Sequence, residues 1–161
     1  MNKVILIIII ILVIVAGYLG YQNYLAPKTP EVNGLVYKNT QYGFEITLPD
    51  SWTGYTVVEQ TWQGNRVDNF EEKFSGPEII IKNPKTSTLQ TWQDIPIMVI
   101  SEPAWLLIQQ ELVAVSAAPI GPSKIGQNAK YVFANPPRWF GFTDVIGWQE
   151  AIDAVKTFKA F

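Results

Sequence analysis

The hydrophobic pattern divides the chain into an apolar N-terminal run, a short polar joint, and a longer region with strand and helix spacings. Residues Val4 to Gly20 (VILIIIIILVIVAGYLG) carry no charge and almost no polar atom. As a helix, these 17 residues span about 26 Å, near the lower limit for crossing a bilayer. Tyr18, Tyr21 and Tyr24 fall where an aromatic belt meets the outer interface. Lys3 precedes the run, while Lys28 and Glu31 follow it. That bias puts the N-terminus in the cytoplasm and the remainder outside, as a single-pass membrane protein. The competing reading is a cleaved signal peptide, which would leave a secreted domain. Ile14-Val15-Ala16 is a poor cleavage site because Ile14 is bulky. Residues Gln22 to Gly34 hold Pro27, Pro30 and mixed polar side chains, a linker composition. The expected organisation is a membrane anchor over 1–25, a linker over 26–34 and an extracytoplasmic domain over 35–161.

Within that domain, Tyr42, Phe44, Ile46 and Leu48 alternate with polar residues, the period of a half-buried strand. Val36 to Lys38 form its short partner, Asn39 to Gln41 the turn, and Pro49 the stop. Tyr55 to Trp62 is β-branched and aromatic, a second strand, with a turn at Gly64-Asn65. Glu78 to Lys82 and Asp94 to Ser101 read as sheet interior, with Pro96 placing the latter at an edge on one side. Ser101-Glu102-Pro103 starts a helix, and Trp105, Ile108 and Leu112 carry it to about Val113. Ala117 to Gln127 reads as loop, Ala129 to Ala134 as strand, and Asn135 to Gly141 as loop. Trp148, Ile152, Val155 and Phe158 share one stripe of a terminal helix, with acids early and lysines late. This order predicts an α+β domain with a mostly antiparallel sheet.

Composition narrows the chemistry. The chain has no Cys and no His, which excludes disulfides, thiolate nucleophiles, the usual zinc sites and imidazole-based triads. Lipid attachment through cysteine is excluded with them. Twelve basic residues against 14 acidic ones, net -2, lack the basic footprint of a nucleic-acid binder. No cofactor motif is present. Six Trp supply material for a core without covalent staples.

Tyr37-Lys-Asn-Thr-Gln-Tyr-Gly-Phe-Glu-Ile-Thr-Leu-Pro-Asp-Ser-Trp52 and the closing Val155-Lys-Thr-Phe-Lys159 resemble the two ends of the PsbP-like group. The resemblance implies an α/β/α sandwich, preceded here by the N-terminal transmembrane helix, and a tendency to bind other proteins. The middle is similar to small, membrane-tethered bacterial proteins of unknown function. It is carried by Asp94-Ile-Pro-Ile-Met-Val99, Ala118-Pro-Ile-Gly-Pro-Ser123 and Asn128-Ala-Lys-Tyr-Val-Phe-Ala134. The photosynthetic role of one PsbP branch does not carry over, because its residues cannot be placed in this sequence.

Candidate sites are few. Gly121-Pro-Ser-Lys-Ile-Gly126 has one residue too many for a nucleophile elbow, and no base accompanies Ser123. Asp68, Glu71 and Glu72 lack the ligand spacing of a calcium loop and read as a solvated face. Arg138, Trp139 and Phe140, after two prolines, have the composition of a protein-binding hot spot. Against that stands an arrangement in which Trp139 and Phe140 fold onto the core and Arg138 is solvated. The expected role is a non-enzymatic binding or scaffold module. Its partners are the membrane, through the N-terminal helix, and another envelope protein, with no nucleic acid. The alternative is a cell-envelope hydrolase using a carboxylate pair.

Overall fold

The computed structural model describes residues 34–117, 120–139 and 145–161, all within the compact unit Val32–Phe161. The expected anchor and nearly all of the linker lie outside the described residues, as does Phe140. Among the described residues no helix is long and apolar enough to cross a membrane.

The described residues form nine strands and two α-helices in the order β1 (Gly34–Asn39), β2 (Phe44–Pro49), β3 (Thr56–Arg66), β4 (Lys73–Lys82), β5 (Ile95–Ser101), α1 (Glu102–Gln109), β6 (Val113–Ala114), β7 (Ser123–Gln127), β8 (Tyr131–Asn135), α2 (Trp148–Val155) and β9 (Lys159–Ala160). The fold is α+β with a mostly antiparallel, curled sheet. A three-stranded sheet runs β1-β2-β9 and a six-stranded sheet runs β6-β3-β4-β5-β8-β7. Residue parity sorts the larger sheet. Odd-numbered Ile79, Ile81, Ile95, Ile97, Val99 and Phe133 face Phe44, Ile46, Leu48, Trp52 and the small residues Ala151 and Ala154 of α2. Even-numbered Trp62, Met98, Ile100, Val132 and Ala134 pack beneath Ala104, Trp105 and Ile108 of α1. Each buried aliphatic side chain stabilises the fold by about 1.5–3 kcal/mol relative to exposure.

The alternation read at Tyr42 to Leu48 holds: Phe44, Ile46 and Leu48 are buried. Five sequence expectations change. Gly64-Asn65 is not a turn but part of β3, which continues to Arg66. A Cβ at Gly64 would lie 3.0 Å from the Ala114 carbonyl oxygen, so glycine lets β6 close on the strand. β5 is an interior strand, between β4 and β8. Pro96 is tolerated because the β8 ladder begins only at Met98, and its carbonyl accepts from the Asn135 side-chain amide (2.7 Å).

The first helix ends at Gln109, short of Val113. Glu111 takes a left-handed φ of 60°, and the Leu112 N–H returns to the Leu107 carbonyl (2.9 Å) while that of Glu111 meets Ile108 (3.0 Å). Those two bonds make a Schellman stop without glycine. Ser123 to Gln127 is an edge strand rather than loop, irregular between Lys124 and Gly126. Gly126 is needed there because a Cβ would lie 2.7 Å from the Phe158 ring. The terminal helix stops at Val155, and Lys159–Ala160 pairs with β2 instead of extending it.

One internal proline is compensated by a side chain. The Arg66 N–H bonds the Glu72 carbonyl, which fixes the even residues of β3 as those hydrogen-bonded to β4. The odd residues of β4 then bond toward β5, opposite Val99 at Pro77, which has no N–H to give. The Trp62 indole N–H reaches over Gly76 and donates to the Val99 carbonyl at 2.9 Å. A buried acceptor is thereby satisfied by a side chain where the ladder cannot do it.

Candidate functional site

The segment between β4 and β5 folds back on the sheet and builds a cleft of about 320 Å³ with the turn after β8. Its walls include Ile80, Trp92, Asp94, Pro96, Trp139 and Val145. Asn83, buried at the end of β4, organises the segment. Its side-chain oxygen accepts from the Lys85 N–H (3.0 Å) and its amide donates to the Gln93 carbonyl (3.4 Å). Asp94 closes the loop from the other side. One carboxylate oxygen accepts from the Asn83 N–H (2.8 Å) and the other from Lys82 Nζ (2.8 Å).

Trp92 is held on both sides. Gly147, with φ of 80°, presses on the ring so closely that a Cβ would lie 2.8 Å from it. Lys85 Nζ stands 4.5 Å from the ring centroid and pairs with Glu150 at 3.5 Å. The cation–π contact and the ion pair fix the rim of the cleft. A backbone bond from the Gln93 N–H to the Ile146 carbonyl (2.8 Å) ties the loop to the entry of α2.

Of the residues singled out in the sequence, the structure sends two in opposite directions. Trp139 is 9% exposed, packs in the main core and donates its indole N–H to the Asp94 carbonyl at 2.9 Å. Arg138 is exposed, adopts a left-handed φ of 64° and makes no ion pair among the described residues. Phe140 lies outside the described residues. Trp139 therefore contributes a wall, not a projecting anchor, while Arg138, its neighbour in the chain, is exposed and does not line the cleft. Ile80, Lys82, Trp92 and Asp94 join the site without having been singled out. Trp92, a lone aromatic in a polar loop, was the available signal.

Two further clefts are present. One, about 260 Å³, lies at the end of α1 among Ile108, Glu111, Val113, Val115 and Ile120. The other, about 330 Å³, lies between the β1–β2 and β7–β8 turns and Phe161. There Asn128 donates to the Tyr42 carbonyl (2.9 Å) and accepts from the Tyr131 N–H (2.9 Å). Burial pushes the Tyr42 hydroxyl up to about 12, reinforced by its bond to the Glu59 carboxylate (2.7 Å). None of the three clefts gathers two acidic side chains among the described residues. No three acidic residues converge as a metal site among the described residues. Asp68 and Glu72 instead flank Arg66 on the surface, where the guanidinium holds the Asp68 carboxyl below its usual range. Ser123 and Lys124 are exposed on β7, and Lys124 bonds Gln127.

The chain matches no family model, no curated protein and no solved structure.

Proposed function

We propose that the chain is a membrane-tethered extracytoplasmic binding module, with the N-terminal helix as its anchor and the Trp92–Trp139 cleft as its recognition site. The observation that carries the reading is the cleft itself: aromatic and aliphatic walls, a fixed Lys82–Asp94 pair, and the exposed Arg138 next in the chain to the wall residue Trp139. Apolar anchoring pockets bordered by a few oriented charges and an arginine are the composition of protein-recognition hot spots. The partner class is another envelope protein. The PsbP-like α/β/α arrangement belongs to the same proposal. Its support is a larger sheet with α1 on one face and α2 on the other, and the placing of Tyr42-Gly43-Phe44 at the start of the core.

The test is a photo-crosslinking amino acid placed at Thr91, an exposed residue of the cleft, in the full chain in its native membrane. A discrete adduct that Arg138→Ala reduces about tenfold, with the melting curve unchanged, supports recognition here. A crosslinking pattern indifferent to Arg138→Ala and identical to that from a distant probe at exposed Glu71, in the β3–β4 turn at the other end of β4, removes the cleft from the mechanism.

A further inference from the structure

The six-stranded sheet ends on a long strand that has little beside it. β6 meets β3 only at Asn65 and Arg66, leaving Thr56 to Gly64 without a backbone partner on that side among the described residues. The hydrogen-bond parity says which groups are open. Arg66 bonds toward β4 and Val67 bonds the other way, to the Leu112 carbonyl (2.9 Å). Val57, Glu59, Thr61 and Gln63 therefore turn their N–H and C=O groups outward. Edge strands are ordinarily protected by lysine, proline, a bulge or a cover. Thr56 to Gly64 (TVVEQTWQG) contains no Lys, Arg or Pro and one charge, and its register with β4 is unbroken. Val57 and Val58 are 38% and 44% exposed.

We infer that this edge is a self-association surface, on which β3 of a second copy pairs antiparallel about a two-fold axis through Gln60. Three constraints choose that register over its neighbours. Hydrogen-bonded antiparallel pairing requires outward-facing residues to meet one another. With Gln60 on the axis, Val57 meets Gln63 and Glu59 meets Thr61, so every outward group on both copies is used. Moving the axis to Glu59 sets Glu59 against Glu59, a direct like-charge pair. Moving it to Thr61 carries Val57 against Asn65, a position β6 already occupies.

The length fits as well. In the Gln60 register the last pair used is Val57 of the copy with Gln63, one residue short of Gly64, against which Ala114 and Val115 already pack. Just before Thr56 the chain turns away through Gly54, with φ of 89°, and the bond from the Tyr55 N–H to the Trp52 carbonyl. The incoming strand thus leaves the edge before it reaches β6. Trp62 does not obstruct, since its ring lies over Gly76 toward the sheet centre. The contact is isologous, so the assembly closes at two copies. It uses a different face from the Trp92 cleft and does not rest on that cleft's proposed role.

The absence of native cysteine makes the register directly readable. Gln60 meets Gln60 at a non-hydrogen-bonded site, with Cα atoms about 4.5 Å apart, within disulfide reach. Two Val58 residues lie roughly 13 Å apart along the strands, outside it. The full chain in detergent micelles carries either Gln60→Cys or Val58→Cys and is oxidised mildly. Dimer forming at least about tenfold faster with Gln60→Cys supports the register, and Thr61→Lys added to it should abolish the difference. Equal rates for the two cysteines overturn it, because association through the anchor alone would not distinguish them. Gln60→Cys also removes the bond to Glu78 (2.6 Å), so amide exchange on the unsubstituted chain provides an independent reading. Protection at Val57, Glu59 and Thr61 that rises with chain concentration, and disappears in Thr61→Lys, supports the pairing. Fast exchange at those amides at every concentration overturns it.

Discussion

The two faces of the six-stranded sheet are built from the same strands yet covered very differently. The odd-numbered face meets β2 and α2, elements separated by a hundred residues of chain, and its Ile81, Ile95, Ile97 and Phe133 are fully enclosed. The even-numbered face is covered mainly by α1, a helix of 8 residues, with Val113 and Val115 beside it among the described residues. That helix reaches Trp62, Met98, Ile100 and Val132 and leaves Val58, Gln60, Ile80 and Pro96 more open. The cleft of Trp92 and the edge of β3, unpaired from Thr56 to Gly64 among the described residues, both lie where this coverage gives out. Stability is concentrated on one face, and the two surfaces proposed for binding begin where the cover of the second face stops.

The contrast can be broken most severely from the closed side. Phe133 is fully buried between Phe44 and Phe158, with ring centroids at 5.2 and 5.3 Å. Phe133→Ala should cost about 3–5 kcal/mol, since strands on three sides hold the cavity open. Urea unfolding followed by far-UV circular dichroism checks this; a cost below about 1 kcal/mol would mean the face collapses freely. On the α1 side the sensitive position is Gly76. A Cβ there would lie 2.7 Å from Trp62 Nε1 and 2.8 Å from the Val99 carbonyl oxygen, neither of which is a flexible chain end. Gly76→Ala should displace the indole and strand that carbonyl opposite Pro77, at about 1–3 kcal/mol. A red-shifted tryptophan emission should accompany the loss, with the odd-numbered core still intact by near-UV circular dichroism.

The sequence was most readable where one face is buried and the other wet. Phe44, Ile46 and Leu48 announce their strand through simple alternation, and Trp105 and Ile108 announce α1 through helical spacing. Three features escaped because their cause is a distant neighbour. Gly64 resembles a turn residue until β6 is seen pressing against it, and Gly126 resembles loop until Phe158 is seen beneath it. Pro96 marks an edge only locally, where the β8 ladder has not yet begun. The site was legible in part. Arg138 and Trp139 draw notice by composition, but their opposite orientations follow from the left-handed backbone at Arg138 and the Asp94 carbonyl that receives the Trp139 indole. Trp92 acquires its place from Gly147, Lys85 and the Thr86 hydroxyl, residues lying on either side of it in the chain at unrelated spacings.

The smallest effect tests how α1 ends, and so how far the cover extends. Glu111 occupies the left-handed position after the helix, where a Cβ costs about 1–2 kcal/mol. Glycine removes that strain but gives back part of the gain as unfolded-chain entropy. Glu111→Gly should therefore stabilise the chain by up to about 1 kcal/mol, read as a rise in Tm. The Leu112 and Glu111 N–H bonds to Leu107 and Ile108 stay in place, so the helix keeps its length and Val113 still enters β6. Glu111→Pro gives the opposite result, because proline can neither adopt that φ nor supply the N–H. If Glu111→Gly instead lowers Tm, the glutamate side chain must be contributing at the α1 cleft that it lines. The backbone turn would then be secondary to that contact in holding α1 over the even-numbered face.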